Sequence, residues 1–276
     1  MKYCKYLSPS GISRYAFVEQ RDGALWATRP MVAPEEDLRQ RLLEIEDRMT
    51  ESFTAAPLSK LSLLPPVTPT KIVCVGRNYS EHAAEMGNDV PKEPLLFLKP
   101  PSSLLAPNGT IRMPALSKRI DYEGELAIVI GKRCRNLGPD DDVRSFVRGY
   151  TIVNDVTARD IQKSDGQWTR GKGWDTFCPV GPIVSNEIDP LQGSPVTVET
   201  RLNGEVKQQG STADLIFPID HLLRYITAFL TLEPGDIIPT GTPSGVGPVA
   251  AGDTVEVEVT GLGILTNGFS SEDQKA

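Results

Sequence analysis

Short apolar runs and strict alternation of apolar with polar residues occupy most of the chain, and both patterns predict β-strands. The turn pairs Asp22-Gly23 and Asn203-Gly204 each separate two such segments, as in β-hairpins. The predicted strands cover residues 15–19, 24–28, 72–75, 95–99, 122–130, 150–157, 196–202, 205–209 and 253–259. Helical spacing of apolar residues is limited to short stretches such as 218–230. The pattern therefore predicts a mainly β protein of the α+β class with short helices.

A proline-rich stretch from Leu64 to Thr70 predicts an extended connection between two parts of the chain. Before it, the first hairpin is followed by a helix that opens at Pro34. That helix is predicted from apolar residues at near-helical spacing, namely Leu38, Leu42, Leu43, Ile45 and Met49. We therefore expect a small N-terminal β/α domain over residues 1–66 and a main domain over residues 67–276.

Composition and charge narrow the class of protein. Hydrophobic residues make up 39% and charged residues 24% of the 276 residues, as in soluble globular proteins. The net charge of −7, without a basic stripe, argues against nucleic acid and anionic membranes as partners. No apolar run is long enough for a membrane helix, and the N-terminus lacks the apolar core of a signal peptide. We therefore expect a cytoplasmic protein.

Cysteine and histidine counts limit the kind of metal site that the chain can form. Cys4, Cys74, Cys134 and Cys178 are widely separated and form no Cys-x-x-Cys pair, so a zinc–thiolate site is not expected. The chain has only 2 histidines, which excludes a site built from three of them. Any metal is therefore expected to have mainly oxygen ligands, which favours Mg²⁺, Mn²⁺ or Ca²⁺.

Three carboxylates lie on two of the predicted buried strands. Glu123 and Glu125 point to the same face, because side chains alternate along a strand, and Asp155 lies on the strand at 150–157. Burying unpaired carboxylates is costly unless a cation or donors compensate them. Exposed charges on an edge strand are the alternative, but the apolar run that follows and the close approach that Gly124 permits argue against it. We therefore predict a site for a hard divalent cation.

His82 and Glu85 lie three residues apart on a predicted short helix capped by Ser80, and positions so spaced are neighbours on a helix. A carboxylate beside an imidazole raises its basicity, which suits a general base. An ordinary exposed helix pair is the alternative. Gly76 and Gly87 flank the segment and suggest that it can move as a lid.

Further polar residues follow the third carboxylate. Arg159 and Gln162 can donate hydrogen bonds to a carboxylate or carbonyl oxygen. Lys172, between two glycines and two tryptophans, is placed unusually for a solvated lysine and can stabilise an enolate or oxyanion. The glycine-rich segment 240–248 lacks the Gly-Lys-Ser/Thr end of a phosphate loop, but its N–H groups and Thr242 can hold a carboxylate. For Arg159, Gln162 and Lys172, the alternative is a surface side chain that serves solubility. For the glycine-rich segment, the alternative is a tight connection between strands.

Six motifs occur in a fixed order over about residues 70–268. They are Gly76-Arg-Asn-Tyr-x-x-His-x-x-Glu85, Phe97-Leu-Lys-Pro100, Tyr122-Glu-Gly-Glu-Leu-Ala127, Asn154-Asp-Val-Thr-Ala-Arg-Asp160, Lys172, and Thr240-Gly-Thr-Pro-Ser-Gly-Val-Gly-Pro248. Together they resemble the fumarylacetoacetate hydrolase family, and the first 66 residues resemble, less closely, the leader of its bacterial-type members. The resemblance implies a mixed β-sandwich roll, usually dimeric, with one divalent metal ion per subunit.

The resemblance also assigns roles to individual residues. The metal-ligand positions are Glu123, Glu125 and Asp155. The catalytic positions are His82 and Glu85, a dyad on a lid, and Lys172 near the metal. The substrate-binding positions are Arg77, Tyr79, Arg159, Gln162 and Thr242, the last on the substrate carboxylate. The long founding member has an additional aspartate ligand near the histidine. Arg77 and Asn78 lie in that neighbourhood here, so water is expected at that coordination position.

The function implied by the resemblance is hydrolysis of a C–C bond in an acylpyruvate-type 2-oxo acid. In this hypothesis Mg²⁺ stabilises the enolate that forms, and the His82–Glu85 dyad activates water. The same residues also allow oxaloacetate decarboxylation or tautomerisation, or isomerisation of 2-hydroxyhepta-2,4-diene-1,7-dioate. A non-catalytic, metal-dependent binder of dicarboxylates is a further alternative, although the presence of a candidate base in His82 and Glu85 favours an enzyme.

Overall fold

The structure, a computed structural model, describes residues 1–46, 53–85, 90–192 and 194–271. The strands in these residues are β1 (Lys2–Leu7), β2 (Ser13–Arg21), β3 (Ala24–Met31), β4 (Ala56–Pro57), β5 (Ser62–Leu64), β6 (Ile72–Gly76), β7 (Leu95–Lys99), β8 (Leu104–Leu105), β9 (Thr110–Met113), β10 (Ile120–Tyr122), β11 (Gly124–Ile130), β12 (Val147–Asn154), β13 (Thr157–Ala158), β14 (Cys178–Ser185), β15 (Thr197–Leu202), β16 (Glu205–Ser211), β17 (Ile237–Pro239), β18 (Gly247–Pro248), β19 (Thr254–Val259) and β20 (Gly263–Ser271). The α-helices are α1 (Leu38–Glu46), α2 (Ser80–Glu85), α3 (Arg159–Asp165), α4 (Thr169–Lys172) and α5 (Ile219–Phe229).

The strands form three sheets. The largest has 12 strands in the order β4-β3-β2-β1-β14-β12-β11-β17-β6-β7, with β5 on β1 and β8 on β14. A 5-stranded sheet has the order β16-β15-β19-β20-β9, and a 3-stranded sheet the order β13-β10-β18. Most pairs are antiparallel, while β17–β6, β14–β8 and β20–β9 are parallel. The chain is therefore mostly β with few short helices, which confirms the expected fold class.

The N-terminal strands join the same sheet as the strands near the predicted site. The first hairpin forms as expected, with β2 and β3 connected by the turn at Asp22-Gly23. Strand β1 then pairs with β14 through Lys2 opposite Ser185 and Tyr3 opposite Val184. Strands β1 to β5 thus belong to the main sheet, and a domain boundary at residue 66 stays a prediction.

The structure describes the two helices predicted in the N-terminal half only in part. The first helix begins at Leu38 rather than at Pro34. Met49, expected on that helix, and Gly87, expected to flank the segment that carries His82, lie outside the described residues. None of the described helices is long and apolar enough to cross a membrane.

The two strands predicted at 122–130 and 150–157 are each interrupted. The first breaks at Glu123, between β10 and β11, and the second at Asp155-Val156, between β12 and β13. The expectation of two unbroken strands was therefore wrong. On one side of the breaks β11 pairs with β12 in the large sheet, and on the other β10 pairs with β13 in the small one. The breaks are where the backbone passes from one sheet to the other.

A shared core joins the large sheet to the five-stranded sheet. The buried residues that both contribute to one hydrophobic cluster include Leu126, Ile128 and Ile130 of β11 and Val255, Val257 and Val259 of β19. The alternation expected for 253–259 is observed, since every second residue of β19 is buried. At Gly124 the two sheets touch, because a Cβ atom there would lie 2.1 Å from Thr200 Oγ1 and 2.9 Å from Val257 Cγ1.

Replacing Gly124 with alanine is therefore expected to destabilise the protein. The added methyl group would push β15 and β19 away from the large sheet, and overpacking of this kind costs about 1–3 kcal/mol. Urea unfolding followed by circular dichroism measures the change. Gly138→Ala is the matched control, because its Cβ would meet only Asp141 Oδ2 at an ordinary 3.6 Å. Equal stability of the two variants would contradict the close contact at Gly124.

Candidate metal centre and active site

A cavity of about 370 Å³ opens beside the two strand breaks. Nine of the eleven residues predicted for the site line it, namely Arg77, His82, Glu123, Glu125, Asp155, Arg159, Gln162, Lys172 and Thr242. In the described part of the chain, Tyr79 and Glu85 are not among the lining residues. Residues far apart in sequence thus meet at one cavity whose volume suits a small ligand.

The three carboxylates lie close together in the lining of this cavity. One oxygen atom from each of Glu123, Glu125 and Asp155 lies within 4.8 Å of the other two. The residues are 4%, 2% and 1% exposed, so the expectation that they are buried is confirmed. The strand breaks bring them together, because the Asp155 N–H donates to the Glu123 carbonyl oxygen at 2.8 Å.

Two cations compensate Glu123. The Lys172 ammonium donates to Glu123 Oε2 and to Asp155 Oδ2, both at 2.6 Å. The Arg159 guanidinium donates to Glu123 Oε1, to Asp121 Oδ2 at 2.8 Å and to Gln162 Oε1 at 2.7 Å. Although burial opposes it, Lys172 and Arg159 lower the pKa of Glu123. Asp155 and Glu123 in turn raise the pKa of Lys172 against the effect of burial.

A third buried cation, Lys99, was not predicted as a site residue. Its ammonium donates to Asp155 Oδ1 at 2.5 Å and to the Val156 carbonyl oxygen at 3.1 Å. Lys99 is 1% exposed at the end of β7, although β7 is an edge strand. Alternation along β7 gave a signal, because it places Lys99 on the same face as Phe97, which lines the cavity.

Glu125 differs from its neighbours because no cation contacts it among the described residues. Its carboxylate accepts one hydrogen bond, from the Gly241 N–H at 2.8 Å. Burial and the negative charges of Asp155 and Glu123 raise the pKa of Glu125 well above its ordinary value. Converging carboxylate oxygens with one uncompensated member fit a hard divalent cation, which prefers oxygen ligands and supplies the missing charge.

The candidate base pair lies on α2. His82 Nδ1 is 3.5 Å from Glu85 Oε2, close enough for an ion pair, but it has no hydrogen-bond partner in the described part of the chain. The Glu85 carboxylate also accepts from the Gly245 N–H at 3.1 and 3.2 Å, which ties α2 to the glycine-rich segment. Burial, together with Arg159, lowers the pKa of His82, while Glu123 and Glu85 oppose this. The imidazole is therefore neutral at pH 7 and can accept a proton.

Arg77 lies at the rim of the cavity with its backbone in the left-handed region, at φ 56°. Its guanidinium lies 5.8 Å from the centre of the Trp168 ring, and no acidic residue pairs with it among the described residues. Trp168, Lys163 and Phe97 line the same cavity and were not predicted. The helical spacing of Arg159 and Lys163 gave a signal for Lys163, because they lie on one face of α3.

Tyr79 is placed differently from the other predicted residues. It is 3% exposed, and its hydroxyl group has no hydrogen-bond partner in the described part of the chain. Burial raises the pKa of this hydroxyl above its ordinary value. A role of Tyr79 in substrate binding stays a prediction.

Residues 71–270 match the family described as fumarylacetoacetate (FAA) hydrolase, C-terminal. The mitochondrial oxaloacetate decarboxylase of Dictyostelium discoideum is 47% identical over 204 residues, which cover 71% of this chain and 91% of that protein. A solved structure of 5-carboxymethyl-2-hydroxymuconate delta-isomerase from Mycobacterium smegmatis is 39% identical with a TM-score of 0.82, covering 99% of this chain and 100% of that one.

A third similar protein is fumarylpyruvate hydrolase from Pseudomonas aeruginosa, whose solved structure is a complex with Mn²⁺ and pyruvate. It is 30% identical with a TM-score of 0.67, covering 75% of this chain and 91% of that one. The fold and the buried acidic site thus define a metal-binding class of β-rich enzymes. The chain belongs to the fumarylacetoacetate hydrolase family, as its motifs indicated.

Replacing Glu125 with glutamine is expected to stabilise the metal-free protein by about 1–3 kcal/mol at pH 7, because glutamine has no carboxyl group that burial and neighbouring charges keep from ionising. The pKa of Glu125 is raised in the folded state, so the unfolded state ionises first and this residue lowers the stability as pH rises above the ordinary value of 4.5. The gain should therefore vanish below that pH. The same variant should lose the rise in Tm that Mn²⁺ produces in the unmodified protein. Thermal unfolding with and without Mn²⁺ measures both effects.

Glu205→Gln is the control for this comparison, because Glu205 is exposed on β16, where it pairs with Lys207 at 2.7 Å. Its stability should change by less than about 0.5 kcal/mol, and its response to Mn²⁺ should be that of the unmodified protein. A metal-free Glu125→Gln protein that is less stable at pH 7 would contradict the charge assignment.

Proposed function

We propose that this enzyme acts on a short 2-oxo dicarboxylate and transfers a proton at the carbon next to the 2-oxo group. The observation that carries the proposal is the juxtaposition, in one cavity, of an acidic cluster with an uncompensated member and a neutral imidazole. Glu123, Glu125 and Asp155 supply the acidic cluster, and His82 supplies the imidazole. Such pairs of groups with pKa values moved in opposite directions are typical of acid–base catalysis.

The three carboxylates are the residues that would hold the metal, with one ion of Mg²⁺, Mn²⁺ or Ca²⁺ per subunit. Carboxylate oxygens suit all three of these cations. When bound, the ion supplies Lewis-acid polarisation of the 2-oxo acid oxygens. The presence of Mn²⁺ and pyruvate in the Pseudomonas aeruginosa structure supports both the kind of ion and the kind of ligand. The homodimer implied by the motifs stays a prediction.

The side chains around the three carboxylates have separate proposed roles in catalysis and substrate binding. His82 is the proposed base, and Glu85 orients its ring and favours the protonated form. Lys172 remains an ammonium because its pKa is raised, so it can stabilise negative charge that develops on the substrate. Arg159 and Gln162, which hydrogen-bond each other at 2.7 Å, form a polar wall that restricts how a ligand can turn.

Carboxylate recognition is proposed at both ends of the cavity. Thr242, at the glycine-rich segment, would hold the carboxylate next to the 2-oxo group. Arg77, at the rim, has no acidic partner among the described residues and would attract a second carboxylate. The exposed Lys163 adds positive charge at the same opening. These cations favour dicarboxylates over 2-oxo acids with an apolar tail.

Oxaloacetate is the first substrate that we propose, with tautomerisation or decarboxylation as the reaction. Support comes from the oxaloacetate decarboxylase of Dictyostelium discoideum, whose similarity spans 91% of its own length. Tautomerisation moves one proton between carbon and oxygen, for which one base is enough. Decarboxylation breaks the bond to the distal carboxylate, which leaves as CO₂. The electron pair of that bond forms the enolate of pyruvate, which then takes up one proton at carbon.

Hydrolysis of an acylpyruvate is the second candidate, favoured by a specific observation. The Glu85 carboxylate lies within 3.5 Å of His82 Nδ1, an arrangement that can strengthen a base for the activation of water. Water would then attack the acyl carbonyl carbon, and the C–C bond to the pyruvate part would break. The cavity of about 370 Å³ has room for acids longer than oxaloacetate. Isomerisation of a dienedioate uses the same proton transfer and remains a third possibility.

A panel of oxaloacetate, acetylpyruvate and fumarylpyruvate, each with Mg²⁺ and with Mn²⁺, tests the proposal. We expect the fastest turnover with oxaloacetate, read as enol–keto conversion by ultraviolet absorbance and as release of CO₂. Glu125→Gln should turn over none of the three, because the cation is no longer held. Faster turnover of the acylpyruvates would favour the second candidate. No turnover of any of them, despite tight binding of oxalate, would indicate a dicarboxylate binder instead.

The pH profile of turnover tests the base. Because burial lowers the pKa of His82 and the neutral form is the active one, activity should be constant around neutrality and fall at acid pH. The midpoint should lie below the ordinary value of 6.5. Glu85 raises the pKa of His82, so Glu85→Gln should move the midpoint to still lower pH. Glu81→Gln, exposed on the same helix, is the control and should leave it unchanged. A midpoint above 6.5 would exclude His82 as this base.

A further inference from the structure

We infer that Gln208 fixes the polarity of the Thr242 hydroxyl, so that this hydroxyl meets a substrate carboxylate as a hydrogen-bond donor. The inference rests on the proposed function, in which Thr242 holds the carboxylate next to the 2-oxo group. Gln208 does not line the cavity among the described residues, so it is a positioning residue that acts through Thr242.

The orientation of the Gln208 amide is determined by two backbone groups. Gln208 lies on β16, is 0% exposed, and reaches from the five-stranded sheet to the strand break. Its Oε1 accepts from the Gly124 N–H at 3.0 Å, and its Nε2 donates to the Pro243 carbonyl oxygen at 2.8 Å. A backbone N–H can only donate and a carbonyl can only accept, so exchanging the two ends of the amide would break both bonds.

This orientation decides what Thr242 can do. The Gln208 Nε2 also donates to Thr242 Oγ1 at 2.7 Å. Because an N–H group already points at this oxygen, the single hydroxyl proton of Thr242 must point elsewhere. In this structure it goes to the Gly124 carbonyl oxygen at 2.9 Å. Thr242 lines the cavity, so the same proton can be offered to an anion there.

The alternative polarity would be unfavourable for a carboxylate ligand. If Gln208 presented an acceptor, the Thr242 proton would turn toward it, and only oxygen lone pairs would face the ligand. A hydrogen bond to a charged group is stronger than one between neutral groups, whereas facing lone pairs repel an anion. The Gln208 amide thus preserves a donor at the position where the proposed substrate brings negative charge.

Gln208 also holds the Gly124 backbone between Glu123 and Glu125. The experiment must therefore distinguish its effect on the polarity of Thr242 from a purely structural role in the metal centre. A structural role would change metal binding as well as carboxylate binding. A polarity role changes carboxylate binding alone and requires the Thr242 hydroxyl. These two differences determine the experiment.

The experiment measures binding of Mn²⁺ alone, and of oxalate at saturating Mn²⁺, by isothermal titration calorimetry. Gln208→Glu keeps the shape but replaces the donor with an acceptor. We expect its oxalate Kd to rise about tenfold or more, in line with the loss of a charged hydrogen bond, and its Mn²⁺ Kd to change by less than about threefold. Gln208→Met, which has no donor and no charge, should also weaken oxalate binding without changing Mn²⁺ binding.

Two comparisons complete the design. Gln209→Glu makes the same change of charge at an exposed position on the same strand and should alter neither Kd. In a Thr242→Val background, Gln208→Glu should have no further effect on oxalate, because the hydroxyl through which it acts is absent. If the added charge simply repelled oxalate, Gln208→Glu would still weaken oxalate binding in the Thr242→Val background.

Unchanged oxalate affinity in Gln208→Glu would overturn the inference. A parallel loss of Mn²⁺ affinity, or an undiminished effect in the Thr242→Val background, would also overturn it in favour of a structural or purely electrostatic role. If the unmodified protein binds Mn²⁺ but no oxalate, the proposed function fails together with the inference. If the unmodified protein binds oxalate and Gln208→Glu leaves the oxalate Kd unchanged, only the inference fails.

Discussion

The arrangement of this protein depends on one constraint, the burial of negative charge beside a hydrophobic core. Four carboxylates and three cations are buried together, namely Asp121, Glu123, Glu125 and Asp155 with Lys99, Arg159 and Lys172. Among these seven groups the carboxylates outnumber the cations by one, and the more exposed Arg119 also pairs with Asp121 at 2.8 Å. Glu125 is the carboxylate that no cation contacts among the described residues. Buried charges are tolerated only when geometry and hydrogen bonds are favourable. The three cations offset most of the buried negative charge, and the proposed metal ion would offset the charge of Glu125.

The fold satisfies this constraint by assembling the charges from several separate segments. The edge strand β7 contributes Lys99, and α3 and α4 contribute Arg159 and Lys172. Glu123 and Asp155 lie where the backbone leaves the large sheet for the small one, so their main chain is free to converge. The five-stranded sheet covers the centre from another side through Gln208. The candidate metal centre thus lies where three sheets meet and does not belong to any one of them.

Much of the fold and part of the site could be predicted from sequence, for local reasons. Apolar alternation identified the strands, and the residue types at Glu123, Glu125 and Asp155 indicated the acidic centre. The strand breaks could not be predicted, because apolar residues continue past both of them and only pairing with a second sheet causes the break. Lys99 and Gln208 could not be predicted as residues near the site, for a related reason. Alternation tells which face a side chain occupies, but not which distant group lies opposite it.

The pairing of β1 with β14 limits how far the chain can be shortened from its N-terminus. The segment that matches the family begins at residue 71, whereas the backbone of Val184 and Ser185 is covered by residues 2 and 3. A fragment cut to the family-matched segment would turn that end of β14 into an open edge of a sheet. Open edges pair readily with other chains. Strand β1 therefore keeps this part of β14 paired within the chain.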